Sequence, residues 1–398
     1  MFEIAFLCLG IFVISVFWWP KAPVPFEVPK VIFFLWFTRI LVVIFAASFF
    51  IRRTVWKINL KLLIPILLFA GWATISSILG SDISKSFAGN YFRRDGLITL
   101  YELMGFSLLV SYFWREKYKK LISKTFFVSL FLLSALALFE ILYRKFGLGS
   151  AATFGNPVFL AGYLVCGLPF YFYFLQNIKL AKIWKLILYL FPIFTVILTK
   201  TSGAIAVMAV YLGIEMAHKV NKKYRLFILL SGIVVSVAIF GFWYKDFRKE
   251  KFMSPQGRDR IYHRVFVGAL KKPIFGWGWA NVDHAFESNY WPLKVYHDIY
   301  VDKAHSTFLE ITATTGFPGI LIYFYLLFIF LKELINKYKK TENKLWNFTL
   351  LSAASIYLIH SQTNVISIAE EIVFWLILGI TLSEFEESPV QPGSHGRR

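Results

Sequence analysis

Residues 31–51 read VIFFLWFTRILVVIFAASFFI, with Arg39 as the only charge in the run. An apolar stretch of this length is long enough to cross a bilayer as a helix. Lipid offers the backbone no hydrogen bonds, so the run must be helical. Comparable runs recur on both sides of it: near Ile4–Trp19, Leu60–Leu79, Leu97–Phe113, Thr125–Leu142, Pro157–Phe174, Ile183–Leu198, Ala204–Ala217, Leu226–Trp243, Ser306–Leu331, Trp346–His360 and Ile366–Leu382. The whole chain of 398 residues is 58% hydrophobic and 19% aromatic, with a mean hydropathy of +0.61, a composition foreign to soluble domains. A transmembrane barrel would show short alternating strands instead of long unbroken runs. The expected fold is therefore an all-α polytopic membrane protein of about twelve transmembrane helices. Spans one to nine fill residues 1–243, a large loop containing short helices follows at 244–305, and spans ten to twelve fill 306–384. The Pro/Gly-rich end, residues 385–398, reads as a disordered cytoplasmic tail.

The formal net charge of +20 invites a nucleic-acid reading. Its distribution argues against one. Arg52, Arg53 and Lys57 share one connection, Arg115, Lys117, Lys119 and Lys120 the next but one, and Lys179, Lys182 and Lys185 another. Lys219, Lys222, Lys223 and Arg225 follow, then Lys337, Lys339, Lys340 and Lys344. These connections alternate with poorly charged ones, as expected of a membrane protein whose basic loops stay in the cytoplasm. Both termini then face the cytoplasm and residues 244–305 lie outside it, in a loop too long to be a mere connection. The run from Phe2 to Trp19 lacks a small-residue cleavage pattern and reads as a retained first span. Cys8 and Cys166 both sit in apolar runs and read as small buried hydrophobes.

Cations on the outer side run against the charge bias and single out candidate chemistry. Arg93 and Arg94 stand together in Gly89–Gly96 (GNYFRRDG); arginine forks suit phosphate or carboxylate. The plainer alternative pairs Arg94 with Asp95 among lipid headgroups. Lys200 lies in the turn TKTSGA at 199–204, where a lysine either snorkels or serves a ligand. The large loop carries Arg258, Arg260 and Arg264 in GRDRIYHR at 257–264, then PIFGWGWAN at 273–281. It closes with VDKAHSTFLE at 301–310, which puts His305 at the start of a helix. Histidine exchanges a proton near neutral pH; its alternative role here is as a cap or an interfacial polar group. A zinc site would have to recruit His284, His297, Asp298, Asp302 and His305, whose spacing matches no metal signature, so no metal and no cofactor is expected. Glu102, Glu140 and Glu215 lie within runs, and Glu140 has Arg144 one turn on as an ion-pair partner. The mid-span charges and broken spans of coupled transporters are not evident.

With these residues the chain resembles the O-antigen ligase and polymerase superfamily of bacterial envelope enzymes. The family's G-x-x-x-R-x-x-G appears as Gly89, Arg93 and Gly96, and its G-N-P-x-x-L-A-x-Y as Gly155, Asn156, Pro157, Leu160, Ala161 and Tyr163. Its G-R-x-x-x-[W/Y] followed by P-x-x-G-x-G appears as Gly257, Arg258, Tyr262, Pro273, Gly276 and Gly278. Its D-[R/K]-A-H-[N/S]-x-x-L and T-G-x-x-G appear as Asp302, Lys303, Ala304, His305, Ser306, Leu309, Thr315, Gly316 and Gly319. Two departures stand out: Ser202 occupies the place of the arginine in the family's S-R-G-A, with Lys200 two positions earlier, and Ser306 replaces a frequent asparagine. The resemblance implies an inverting glycosyltransferase of the bacterial inner membrane, working on the periplasmic side. Its donor would be an undecaprenyl diphosphate-linked oligosaccharide. A ligase passes the glycan to lipid A–core, a polymerase to another lipid-linked repeat, and some relatives to protein. His305 would be the general base, and Arg93, Arg94, Lys200, Arg258 and Arg260 would bind the diphosphate. Asp302, Lys303, Glu310 and Asn156 would support them. A lipid-linked oligosaccharide transporter and a membrane scaffold are the readings from other classes.

Overall fold

The computed structural model describes residues 1–52, 56–143, 151–220, 258–288, 300–340 and 344–384, and single positions between 220 and 258. The architecture is helical, with one isolated bridge between Ile58 and Ser383. The helices are α1 (Phe2–Val16), α2 (Glu27–Arg52), α3 (Leu60–Ile78), α4 (Ile83–Ala88), α5 (Leu97–Phe113), α6 (Lys119–Tyr143), α7 (Pro157–Gln176), α8 (Lys182–Leu198) and α9 (Ser202–Lys219). Then come α10 (Arg258–Lys271), α11 (Val282–Glu287), α12 (Thr307–Lys340), α13 (Lys344–His360) and α14 (Ile368–Leu382). Five of the expected spans form helices long and apolar enough to cross a membrane: 27–51, 60–78, 116–143, 157–176 and 307–340. Six others correspond to the shorter helices α1, α5, α8, α9, α13 and α14. The run at 226–243 falls mostly outside the described residues, and 244–257, 289–299 and the tail from 385 fall wholly outside them.

Helix α7 is the central element. Asn156 caps it by accepting the Val158 amide at 2.9 Å, Pro157 supplies a preset first turn, and every residue from Phe159 to Leu175 is buried. An all-round apolar helix has no polar face to give to solvent and belongs in the middle of a bundle. Helices α6 and α13 pack along it, and α14 packs on α5, while α12 packs on α3. At the periphery α8 buries only Pro192, Thr195 and Val196 and turns Leu186, Leu190 and Phe194 outward. Polar side chains inside the bundle are tied to one another: Ser15 Oγ lies 2.7 Å from Ser129 Oγ, which lies 2.9 Å from the Tyr163 hydroxyl, joining α1, α6 and α7. Glu102 is paired with Arg39 at 3.2 Å and Glu215 with Lys219 at 2.7 Å. Glu140 accepts the amides of Ala151 and Ala152, while its expected partner Arg144 lies outside the described residues. Cys8 and Cys166 are free and buried.

The two ends of the bundle differ in charge. At one end Trp114 stacks on Trp346 at 5.6 Å, Asn59 donates to Glu333 at 3.3 Å, and the Lys337 ammonium donates to the carbonyls of Ile380, Thr381 and Ser383. The basic connections around Lys57, Arg115–Lys120 and Lys337–Lys344 gather there. The opposite end is built by loops 79–96, 272–281, 300–306 and 361–367.

That opposite end is held together by backbone on backbone. Within α12, Gly316 adopts φ 72° and ψ −177°, which breaks the helix. The peptide groups this break releases receive loop 273–278: Trp277 N–H donates to Ala313 O, Gly278 N–H to Thr314 O and Phe317 N–H to Pro273 O, at 2.8–2.9 Å. This conformation is essentially reserved for glycine, and a Cβ on Gly316 would lie 2.1 Å from Ile274 O. The Pro-x-x-Gly-x-Gly and Thr-Gly-x-x-Gly motifs are therefore two halves of one docking device. Gly316→Ala is expected to cost about 2–3 kcal/mol or more in stability, read as a lowered unfolding temperature in detergent. An unchanged temperature would show that the loop seat tolerates a side chain.

Candidate active site

Loop 89–96 is pinched at its base. Gly89 has φ 81° and ψ 176°, and a Cβ on either Gly89 or Gly96 would come within 2.3 Å of the other's side of the loop. The pinch throws residues 90–95 into a tight turn in which the Asn90 amide donates to Asp95 Oδ1 at 3.0 Å and the Phe92 amide to Asn90 Oδ1 at 2.9 Å. Arg94 takes the left-handed conformation at φ 57°, so the neighbouring arginines diverge. Arg93 turns inward, its guanidinium 5.6 Å from the Phe159 ring on α7, while Arg94 is exposed. The alternative pairing of Arg94 with Asp95 is not what forms, because Asp95 turns to Lys303.

Segment 300–306 lies against that loop. Arg93 Nε donates to Asp302 Oδ2 at 2.5 Å, and the Lys303 ammonium sits 2.5 Å from both Asp95 Oδ2 and Glu310 Oε1. Burial pulls the Lys303 pKa down, but Asp95 and Glu310 more than offset it and the net shift is upward. Arg93 behaves alike: burial opposes its charge, while Asp302 and then Asp95 and Glu27 overcome that. Asp95 is held below the usual carboxylate range despite burial, by Lys303 first and Arg93 last. The Trp279 indole adds a hydrogen bond to Asp95 O at 2.9 Å, tying in the Gly/Trp loop.

His305 also sits in the left-handed region, at φ 55°. This turn ends the extended segment and starts α12. Gln362 serves the helix start: its Oε1 accepts from Ser306 Oγ and from the Phe308 amide, both at 3.1 Å, and the Thr307 amide donates to Ser361 O at 2.9 Å. Helix α10 closes the arrangement. Tyr262 donates its hydroxyl to His305 O at 3.1 Å, and one turn earlier Arg258 Nη2 donates to Asn364 Oδ1 at 3.0 Å. Arg260 lies about 200° around the helix from Arg258. Asn364 in turn packs on Gly203, where a Cβ would meet its Nδ2 at 2.8 Å. This contact brings the first turn of α9 beside Arg258. Lys200, at φ 55° in the turn before α9, has an exposed side chain, and no contact of its ammonium with Arg93, Arg258 or His305 occurs. Asn156 acts as the α7 cap already described and positions Phe159 under Arg93. Gly257, His297 and Asp298 lie outside the described residues. No three His, Cys, Asp or Glu side chains among the described residues are placed to hold a metal ion.

Burial, then Arg258, with Arg93 adding to it, bring the His305 pKa down to about 4, and Asp302 opposes them. The imidazole is thus neutral at ordinary pH, and among the described residues neither ring nitrogen is taken by a hydrogen bond. Beside it a cleft of about 130 Å³ is lined by Arg93 and Lys303 and by Phe69, Tyr323 and Phe374. Its polar lining sets the cations Arg93 and Lys303 beside the acids Glu27, Asp95, Glu310 and Glu371, above an apolar wall. His305 is not on the cleft wall, though Ser306 and Thr307 are.

Gln362 and Asn364 had no place among the residues singled out by sequence. Their signal is the polar stretch HSQTN at 360–364 between two apolar runs, on the same side as the candidate loops.

The family model described as O-Antigen ligase matches residues 186–324. That stretch runs from α8 into α12 and contains Lys200, Arg258, Asp302 and His305, with Arg93 packed onto it from outside. This match supports the likeness to the O-antigen ligase and polymerase superfamily over that stretch. Members of this superfamily are membrane glycosyltransferase-like enzymes, and the several apolar helices of this chain fit a multi-pass membrane protein. No curated protein matches the chain.

Proposed function

We propose that this protein is an inverting glycosyltransferase of the ligase type that takes a glycan from an undecaprenyl diphosphate carrier. The observation that carries the reading is the convergence of Arg93, Arg258 and the neutral His305 at the end of the bundle opposite the Lys57, Arg115 and Lys337 connections. The diphosphate is already a good leaving group, so no strong acid is required. As the anomeric C–O bond breaks, its electron pair goes to the diphosphate, and guanidinium groups in a water-poor site stabilise that charge. The incoming sugar hydroxyl is a poor nucleophile until its proton is taken, and His305 is the base placed to take it. A single displacement inverts the anomeric centre. Lipid A–core is the proposed acceptor; a second lipid-linked repeat is the polymerase alternative. No metal ion enters these steps.

Purified protein incubated with undecaprenyl diphosphate oligosaccharide and either acceptor tests the reading. Product on lipid A–core supports a ligase, product on the lipid-linked repeat a polymerase, and absence of product with movement of the donor across vesicles would mean a transporter instead.

The proposed orientation places the site in the periplasm of a bacterial inner membrane, because basic connections are retained in the cytoplasm. Single cysteines introduced at Ser81 and His284 are expected to react with an impermeant maleimide on intact spheroplasts, and one at Lys340 only after lysis. The reverse pattern would invert the topology and remove the reading.

A further inference from the structure

Arg93 and His305 pose a joint problem. Arg93, proposed to bind the diphosphate, is already engaged by Asp302 through its Nε edge at 2.5 Å, with both side chains about four-fifths buried. His305, proposed to gain a proton, stands near two cations, Arg258 from α10 and Arg93 from loop 89–96. Among the described residues the carboxylate that acts on it is Asp302, from its own segment; loop 361–367 offers the neutral Gln362, and α10 the Tyr262 hydroxyl, which donates to the His305 carbonyl. Asp302 therefore stands between a guanidinium that must be given up and an imidazole that must be charged.

We propose that Asp302 is an exchangeable counter-ion, which holds Arg93 while the donor site is empty, yields it to the donor diphosphate, and then pairs with the imidazolium that forms on His305. The proposal rests on the glycosyltransferase reading above and adds a coupling between donor binding and base strength. A phosphate and a carboxylate cannot share one guanidinium edge without their charges meeting, and the more highly charged diphosphate wins. The displaced carboxylate needs another cation. Lys303, next in sequence, is held by Asp95 and Glu310 at 2.5 Å each, and that anchor also keeps the segment in place while Asp302 turns. The cation that appears during reaction is His305, three residues away around the left-handed turn. The proton balance is simple. The acceptor O–H proton moves to the imidazole as the oxygen bonds to the anomeric carbon, the C–O pair leaves on the diphosphate, and the imidazolium later releases its proton to solvent. Asp302 is a positioning residue. A donor-free enzyme then carries a weak base and a donor-loaded enzyme a stronger one, which limits misdirected proton transfer.

Asp302→Asn separates this role from a static one. Undecaprenyl diphosphate is expected to bind the variant as tightly as wild type or a few-fold tighter, since a competitor for Arg93 is gone. Single-turnover transfer is expected to fall about tenfold or more, with its acid limb displaced about one pH unit downward, because an opposite charge near the imidazole is lost. Several-fold weaker lipid binding, a rate within twofold of wild type, or an unmoved acid limb would each overturn the proposal. If the variant does not fold, the imidazole of wild-type His305 followed by ¹³C NMR decides: its pKa must rise when undecaprenyl diphosphate is added, and a constant pKa overturns the exchange. Wild type that neither binds undecaprenyl diphosphate nor transfers glycan would remove the functional reading itself, and this proposal with it. Wild type that does both beside an indistinguishable Asp302→Asn removes this proposal alone.

Discussion

Replacing His305 by alanine is expected to leave insertion, folding and donor binding intact and to lower single-turnover transfer by about 10² to 10⁴. The side chain makes no hydrogen bond to a described residue, so its removal breaks none at this end of the bundle. The structural work at this position is done by the backbone, through the Tyr262 hydroxyl on the His305 carbonyl. A rate within a few-fold of wild type would sink the assignment and shift attention to Glu310. The pH dependence has a definite sign. With the pKa held down to about 4, chiefly by burial and then by Arg258, the base is present above that pH and is lost as pH falls through it. The acid limb of kcat/KM, which reports free enzyme, is expected near pH 4, and that of kcat at a higher pH, because bound diphosphate neutralises the cations that depress the imidazole. Equal limbs would mean that the diphosphate does not lie beside His305. His284 lies on α11, away from this arrangement, and His284→Ala is expected to keep its activity.

Arg258→Ala and Arg93→Ala are expected to lower transfer by about 10² to 10³ each, the scale seen when one charge-stabilising donor is removed from a developing anion. Their signatures differ. Arg258 donates to the Asn364 amide, and its loss is expected to weaken donor binding and slow transfer together. Arg93 is matched by Asp302, so Arg93→Ala also strands a carboxylate, and its effect on folding yield is expected to be the larger. Arg258→Lys retains the charge but loses the planar fork, and is expected to recover less than a tenth of the activity. The measurement is binding of undecaprenyl diphosphate and single-turnover transfer on the same preparations. Normal binding and transfer by both alanine variants would eliminate the diphosphate clamp.

Much of this molecule is written locally. Runs such as 31–51 and 157–176 cannot be satisfied in lipid except as helices, so the all-helical class and most helix positions follow from residue type alone. The alternation of basic and poorly charged connections likewise depends only on sequence order, and the helices do bring Lys57, Arg115 and Lys337 to one end and Arg93, Arg258 and His305 to the other. What sequence could not supply is the partner of each charge. Arg94 neighbours Asp95 in the chain, yet the left-handed turn at Arg94 sends it outward and Asp95 finds Lys303, some two hundred positions away. Arg258 and Arg260 look equivalent in a string and are separated by the helical twist. The glycines of Pro273–Gly278 and Thr315–Gly319 read as turns or helix defects until the two backbones are seen to dock. Gln362 and Asn364 gain meaning only because packing of α13 and α14 lays their loop over the start of α12 and against Arg258. Hydrophobic burial and charge bias act on each segment by itself and are legible in one dimension; ion pairing and backbone docking act between segments, and only the packed bundle fixes which groups meet.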